Sequence, residues 1–284
     1  MKKVLALIMV AALALTCMMS FTACGGEAVT AEVVDIDLTS ELYAFGVDKD
    51  QPELLEQVNE FIADIKADGT LDNIMNKYFA GEGELSPVTS ATLDPSKDQL
   101  VVATNAAFEP FEYTDGDKYL GIDMEIAALL AEKLGKELVI SNMDFDAVCL
   151  SVGQHKCDIA MAGLTVSEDR KEHVTFSESY YTASQRIIVP SNDTTFDACK
   201  TAEDVEAILN SFDSSVRVGV QNGTTGQLYG KGDADWGFDG FGFETVGYKN
   251  GSLAVQDMLN GNIQYVIIDA APATCITTAL NELV

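Results

Sequence analysis

Short apolar runs alternate with amphipathic stretches along most of the chain, and the two periods separate strands from helices. From Asp98 onward, Leu100–Thr104 is a compact apolar run that predicts a strand. Ile122, Ile126, Leu129, Leu130 and Leu134 then fall on one helical face, and Gly135 stands where a helix stops. Leu138–Ile140 predicts the next strand, 145–152 the next helix, and 158–162 a short buried strand ending at Gly163. Such a rhythm is the signature of layered α/β packing.

A second set begins after Gln185–Val189. Thr201, with Asp204 three residues on, predicts a capping-box-like helix start, and Val205, Ile208, Leu209 and Phe212 supply the buried stripe. Val216, Val218 and Val220 alternate as a strand running into Asn222-Gly223-Thr224-Thr225-Gly226. Ser252 starts a helix through Met258 and Leu259, and Tyr265–Asp269 is a strand feeding a last helix. The segment before Asp98 is organised differently. Val33–Leu38 and Leu42–Val47 each predict a strand, and Asp50 with Pro52 predicts the cap of a helix bearing Leu54, Leu55, Val58, Phe61, Ile62 and Ile65. Asp68-Gly69-Thr70 turns the chain into a short helix ending at Tyr78-Phe79, and residues 81–97, without periodicity, read as a linker.

Composition narrows the function. Among 284 residues, 45 Asp and Glu face 17 Lys and Arg, a formal charge of −28 that excludes a nucleic-acid-binding face. The 47% hydrophobic content suffices for one large or two modest cores. Lys2 and Lys3 precede an apolar run from Val4 to Thr16, which predicts a secretory signal over 1–23, because the run is short for a bilayer span. Phe21-Thr22-Ala23-Cys24-Gly25-Gly26 resembles a bacterial lipobox with Phe in place of the usual Leu. That resemblance implies lipidation of Cys24 and an extracytoplasmic protein anchored to the outer face of the bacterial cell membrane.

Cys149, Cys157, Cys199 and Cys275 remain as thiols or disulfides, and no CxxC pair exists. Cys149 and Cys157 occupy apolar positions, which favours buried free thiols. With only His155 and His173 available, no zinc site is expected, nor any cofactor. Asp233, Asp235, Asp239 and Glu244 partly echo a calcium loop, but Phe238 stands where the sharp turn needs glycine.

Several motifs occur in a telling order: Thr104-Asn105-Ala106-Ala107-Phe108-Glu109-Pro110-Phe111-Glu112-Tyr113, Gly121-Ile122-Asp123-Met124-Glu125, Gly163-Leu164-Thr165-Val166-Ser167-Glu168-Asp169-Arg170 and Phe176-Ser177-Glu178-Ser179-Tyr180-Tyr181. Gly219-Val220-Gln221-Asn222-Gly223-Thr224-Thr225 and Val266-Ile267-Ile268-Asp269 continue the series. Together they resemble the bacterial extracellular amino-acid-binding proteins of ABC importers, solute-binding protein family 3. The resemblance implies a two-lobed α/β periplasmic-binding-protein fold of type II. One departure stands out. Leu38–Tyr43, Pro52–Leu55, Lys66–Leu71 and Lys77–Phe79 resemble the segment that normally closes the family's chain, yet here they come first. Circular permutation accounts for this, with 81–97 joining the old ends; a segment exchanged between chains or a remnant of a tandem copy are the alternatives. The expected organisation is a signal over 1–23, a tether and lobe 2 strand over 24–39, lobe 1 over 40–80 and 98–186, and lobe 2 over 187–284.

An α-amino acid is a zwitterion, so a buried site must offer it one cation and one anion. By the resemblance, Arg170 grips the α-carboxylate and Asp269 accepts the α-ammonium. Gly163 and Thr165 complete the shell from one lobe and Thr224 and Thr225 from the other, while Phe108 and Phe145 form cleft walls. The residues themselves also admit plainer readings: Arg170 in a solvated charge run with Glu168, Asp169 and Lys171, and Asp269 as a helix cap. Asn105 stands where relatives taking cationic amino acids often carry Asp, and Gln221 adds no charge, so a neutral polar or modestly apolar amino acid is expected. The implied protein is a monomeric, non-enzymatic receptor that hands its ligand to an ABC permease. Rivals are a sensor subunit of a signalling system and a dehydratase of small carboxylates, for which Glu109 is the one unassigned acid of the cleft motifs.

Overall fold

The computed structural model describes residues 28–283. The expected signal 1–23 and Cys24 lie outside the described residues. Two five-stranded sheets of matching layout organise the chain. The first has the order β10 (Val174–Phe176), β3 (Gly46–Asp48), β9 (Ile159–Ala160), β4 (Gln99–Thr104) and β8 (Glu137–Asn142). The second has the order β1 (Ala31–Val33), β12 (Gln185–Pro190), β15 (Tyr265–Asp269), β13 (Arg217–Gln221) and β14 (Glu244–Tyr248). In each sheet a parallel trio carries two antiparallel strands on one side: β9, β4 and β8 in the first, β15, β13 and β14 in the second. Ligands of such sheets lie outside the carboxyl ends of the parallel strands.

Helices cover the sheets. They are α1 (Pro52–Ala67), α2 (Thr70–Phe79), α3 (Ile122–Leu134), α4 (Val148–Gly153), α5 (Glu168–Lys171), α6 (Ala202–Leu209), α7 (Thr225–Lys231), α8 (Gly251–Leu259) and α9 (Ala270–Asn281). Gly135 ends α3 at φ 68°, and Thr201 and Asp204 close a reciprocal capping box on α6. The first turn of α3 is buried on all sides, Asp123 and Glu125 included, which a one-face stripe does not anticipate. Pro52 opens α1, but Gln51 is the residue before it and Asp50 makes no cap bond.

The stretch 42–47, expected as one strand, is two. β2 (Glu41–Tyr43) pairs antiparallel with β11 (Tyr181–Ala183) between the sheets, whereas β3 enters the first sheet. A separate three-stranded sheet of β5 (Ala107–Phe108), β6 (Glu112–Asp115) and β7 (Lys118–Leu120) overlies the first lobe. Residues 81–97 lie along that lobe, where Val88 exchanges two backbone bonds with Tyr119 and Ala91 N donates to Leu138 O.

The chain passes between the sheets twice, and the two passages run side by side. Leu38 N donates to Gln185 O at 2.9 Å, and Gln185 N to Thr39 Oγ1 at 2.9 Å. Everything from Glu41 to Ala183 belongs to the first lobe or to the β2–β11 pair. At the far edge of the second lobe the Asn281 amide both accepts from Ala31 N and donates to Ala31 O, each at 2.9 Å. Cys149 and Cys157 are buried, and the four described cysteines form no disulfide. Among the described residues no helix is long and apolar enough to cross a membrane.

Candidate functional site

The carboxyl ends of the two parallel trios face each other, and the side chains they carry meet there. Ser167 starts the short helix α5, its Oγ accepting from Arg170 N at 3.3 Å. That turn separates the charge run: Lys171 pairs with Glu168 in solvent, whereas Arg170 points inward. Arg170 Nη1 donates to Thr165 O at 2.7 Å and Nη2 to Gly223 O at 3.0 Å, so the guanidinium joins the two lobes. Phe145 lies beneath it, with Cζ 5.1 Å from the ring centroid, a cation–π contact. The remaining guanidinium N–H groups stay available to a carboxylate.

Asp269 ends the fully buried strand β15 and stands at the N-cap position of α9. Its side chain makes no cap bond; instead it accepts from the Tyr43 hydroxyl. Burial, and then the charge of Glu41, push its carboxyl up to about 7, while the Tyr43 bond pulls the other way. Glu41 is equally buried, accepting from Thr165 Oγ1 at 2.9 Å, Thr39 Oγ1 at 2.6 Å and Gln185 Nε2 at 3.1 Å. Neither acid has a cation within ion-pair distance among the described residues. A buried carboxylate in that state is poised either to keep a proton or to receive a cation.

The other sequence-predicted residues gather in the same place. Gly163, at φ 53°, follows β9; a Cβ there would stand 3.1 Å from the Phe108 ring and 3.2 Å from Tyr43, so the tight contacts and the left-handed backbone both favour glycine. Thr225 Oγ1 donates to Thr165 Oγ1 across the cleft at 3.2 Å. Thr224 Oγ1 donates to Gln221 O at 2.9 Å, and Gln221 Nε2 to Asn105 Oδ1 at 3.1 Å.

Sequence reasoning missed Glu41 and Tyr43 as members of this site, because long-range pairing of β2 brings them in and no local pattern marks them. It also missed two buried acids behind the cleft. Asp123 accepts from Tyr180 Oη at 2.6 Å and Gly163 N at 2.9 Å, and burial raises it to about 7 despite those bonds. Glu112 is wholly buried with both oxygens unpartnered among the described residues, and burial with the charges of Asp123 and Asp269 drives it well above the usual carboxylate range.

The sequence pattern of the family described as bacterial extracellular solute-binding proteins, family 3, matches residues 7–81 and 100–263. The chain belongs to this family. Among its family relatives, the arginine-binding extracellular protein ArtP of Bacillus subtilis is 30% identical over 176 residues, 62% of this chain and 63% of that protein. The histidine-binding periplasmic protein of Escherichia coli is 25% identical over 174 residues, 61% of each chain. The chain thus spans somewhat under two thirds of the length of these relatives. Among solved structures, an ancestral arginine-binding protein bound to arginine superposes with a TM-score of 0.54 at 32% identity, over 64% of this chain and 75% of that one. An ancestral amino-acid-binding protein described as a precursor of cyclohexadienyl dehydratase gives 0.54 at 28% identity, over 75% and 78%.

Proposed function

We propose that this family member is an extracytoplasmic receptor that captures an amino acid between its lobes and delivers it to an ABC importer. The observation that carries the reading is the presence, at one interlobe site, of Arg170, a cation in contact with both lobes, and Asp269, a buried carboxylate with no cation within ion-pair distance among the described residues. A zwitterion answers both needs at once. Arg170 holds the α-carboxylate, Asp269 the α-ammonium, and Thr165, Thr224, Thr225 and Gly163 close around them. Closure is driven by contacts that need both lobes, and no covalent step is involved. The names of the arginine- and histidine-binding relatives support an amino acid as ligand. Glu109, the acid a dehydratase would need, lines a separate crevice with Tyr113, Asn250 and Cys275.

In this reading Cys24 carries the lipid anchor and the protein works as a monomer. The chain order is a circular permutation within one chain. Supporting it, Lys77 and Tyr78 of the early segment bond Glu125 of α3 at 2.6 Å each, and β3 sits inside the first sheet. The test is isothermal titration of the purified protein with each common amino acid. Micromolar or tighter binding, lost in Arg170→Ala, is the expected result; no heat with any of them from folded, ligand-free protein refutes it.

A further inference from the structure

The ends of β4 and β13 meet amide to amide. Asn105 Nδ2 donates to Met143 O at 2.7 Å, which fixes the orientation of that side chain. Its Oδ1 therefore faces Gln221, whose Nε2 must be the donor between them. Gln221 Oε1 is then left as an acceptor with no donor among the described residues, on a residue only 1% exposed. Turning the Gln221 amide over would set oxygen against oxygen, so local rearrangement does not remove the orphan. The neighbouring hydroxyls are committed elsewhere, Thr224 to Gln221 O, Thr225 to Thr165, and Thr165 to Glu41. Buried polar atoms without partners are rare in folded proteins, and one at a cleft marks a group waiting for a ligand.

Resting on the receptor reading above, the geometry points to Gln221 as the residue that selects the ligand's side chain, and to a side chain ending in an N–H donor as its match. Carboxamides and guanidinium groups share that chemistry. An apolar side chain would leave Gln221 Oε1 unpaired and buried, and a carboxylate would oppose it with another oxygen. The inference removes the apolar half of the sequence expectation and admits a guanidinium that the sequence disfavoured.

Isothermal titration of the purified protein with glutamine, arginine, methionine, leucine and glutamate tests it. Glutamine or arginine should bind at least about tenfold more tightly than methionine, which has similar length and no terminal N–H. Whichever of the two binds better identifies the source of the donor. In Gln221→Leu that preference should shrink to within about threefold, and Gln221→Glu should move the balance between glutamine and arginine at least about tenfold toward arginine. Circular dichroism checks that each variant folds, and Gln221→Glu decides should Gln221→Leu not fold. Methionine or leucine binding as well as both N–H donors overturns the inference, as does an unchanged preference in a folded Gln221 variant. No binding of any amino acid would instead overturn the receptor reading itself.

Discussion

The phenol of Tyr43 donates its proton to Asp269, a bond between a fully buried tyrosine and a buried carboxylate 226 positions apart. It occupies one oxygen of Asp269, and it favours the ionised carboxylate against the burial that opposes it. Tyr43→Phe should therefore raise the midpoint at which Asp269 ionises and weaken amino-acid binding about three- to tenfold at pH 7. Titration across pH 6–9 checks this: affinity should recover toward the wild type at the alkaline end. A uniform loss at every pH would assign Tyr43 a packing role alone.

Binding by the wild type should itself depend on pH. Free Asp269 ionises at about 7, whereas an ammonium at its side requires the charged form. Capture then releases a proton below that value. The dissociation constant should be flat above pH 8 and rise up to about tenfold per unit as pH falls through 7 toward 5. For the free protein the sign is opposite. The folded state holds this proton more tightly than the unfolded chain, so the stability Asp269 contributes declines as pH rises from about 4 to about 7. Titrations in buffers of different ionisation heat measure the released proton directly.

Arg170 grips two backbone carbonyls through two different nitrogens of one planar group. Lysine offers a single point charge and cannot reproduce that fork. Arg170→Ala should lower amino-acid affinity by more than about a hundredfold, and Arg170→Lys should restore little of it. Binding by the lysine variant within about threefold of the wild type would mean that only the charge matters.

His155 adopts a left-handed backbone at φ 57° and places Nδ1 2.8 Å from the buried carboxylate of Asp48, which raises its pKa. A raised histidine stabilises the fold fully below its ordinary pKa and stops doing so as pH climbs past the folded value. The melting temperature of His155→Ala should accordingly differ from the wild type more at pH 6 than at pH 8.5. His155→Gly should exceed His155→Ala by about 1 kcal/mol, since glycine takes this backbone without strain. Equal melting temperatures for the two variants would contradict the strain argument.

If the chain is a permuted family member, a rearranged gene encoding residues 98–284 followed by 28–80 would return its segments to the unpermuted order. Under the permutation reading it should yield a folded protein with the same ligand preference. Failure to fold, with the natural order folding well, would count against the reading.

Much of the scaffold was legible because local chemistry decided it: Gly135 stopped α3, Thr201 and Asp204 capped α6, and alternating valines made β13. The misplaced elements were those fixed at a distance. Nothing local in 42–47 separates β2 from β3, because the division is imposed by different partners, β11 for one and β10 with β9 for the other. Within the site, Arg170 and Asp269 were visible as charged residues in recognisable motifs. Tyr43, Glu41 and Glu112 were not, since an ordinary tyrosine and two acids in a chain rich in acids reveal their burial only once the sheets assemble.

The side-by-side passages at Leu38 and Gln185 make residues 41–183 a cassette whose two ends share one doorway. Ala31 and Asn281, clasped together, both belong to the other lobe. If the receptor reading holds and the lobes close on ligand, fluorophores fused near those two residues would ride on the same body and stay blind to closure, whereas one of them paired with an insertion at 81–97 would report it. By the same geometry a single stretch of gene carries one complete side of the cleft.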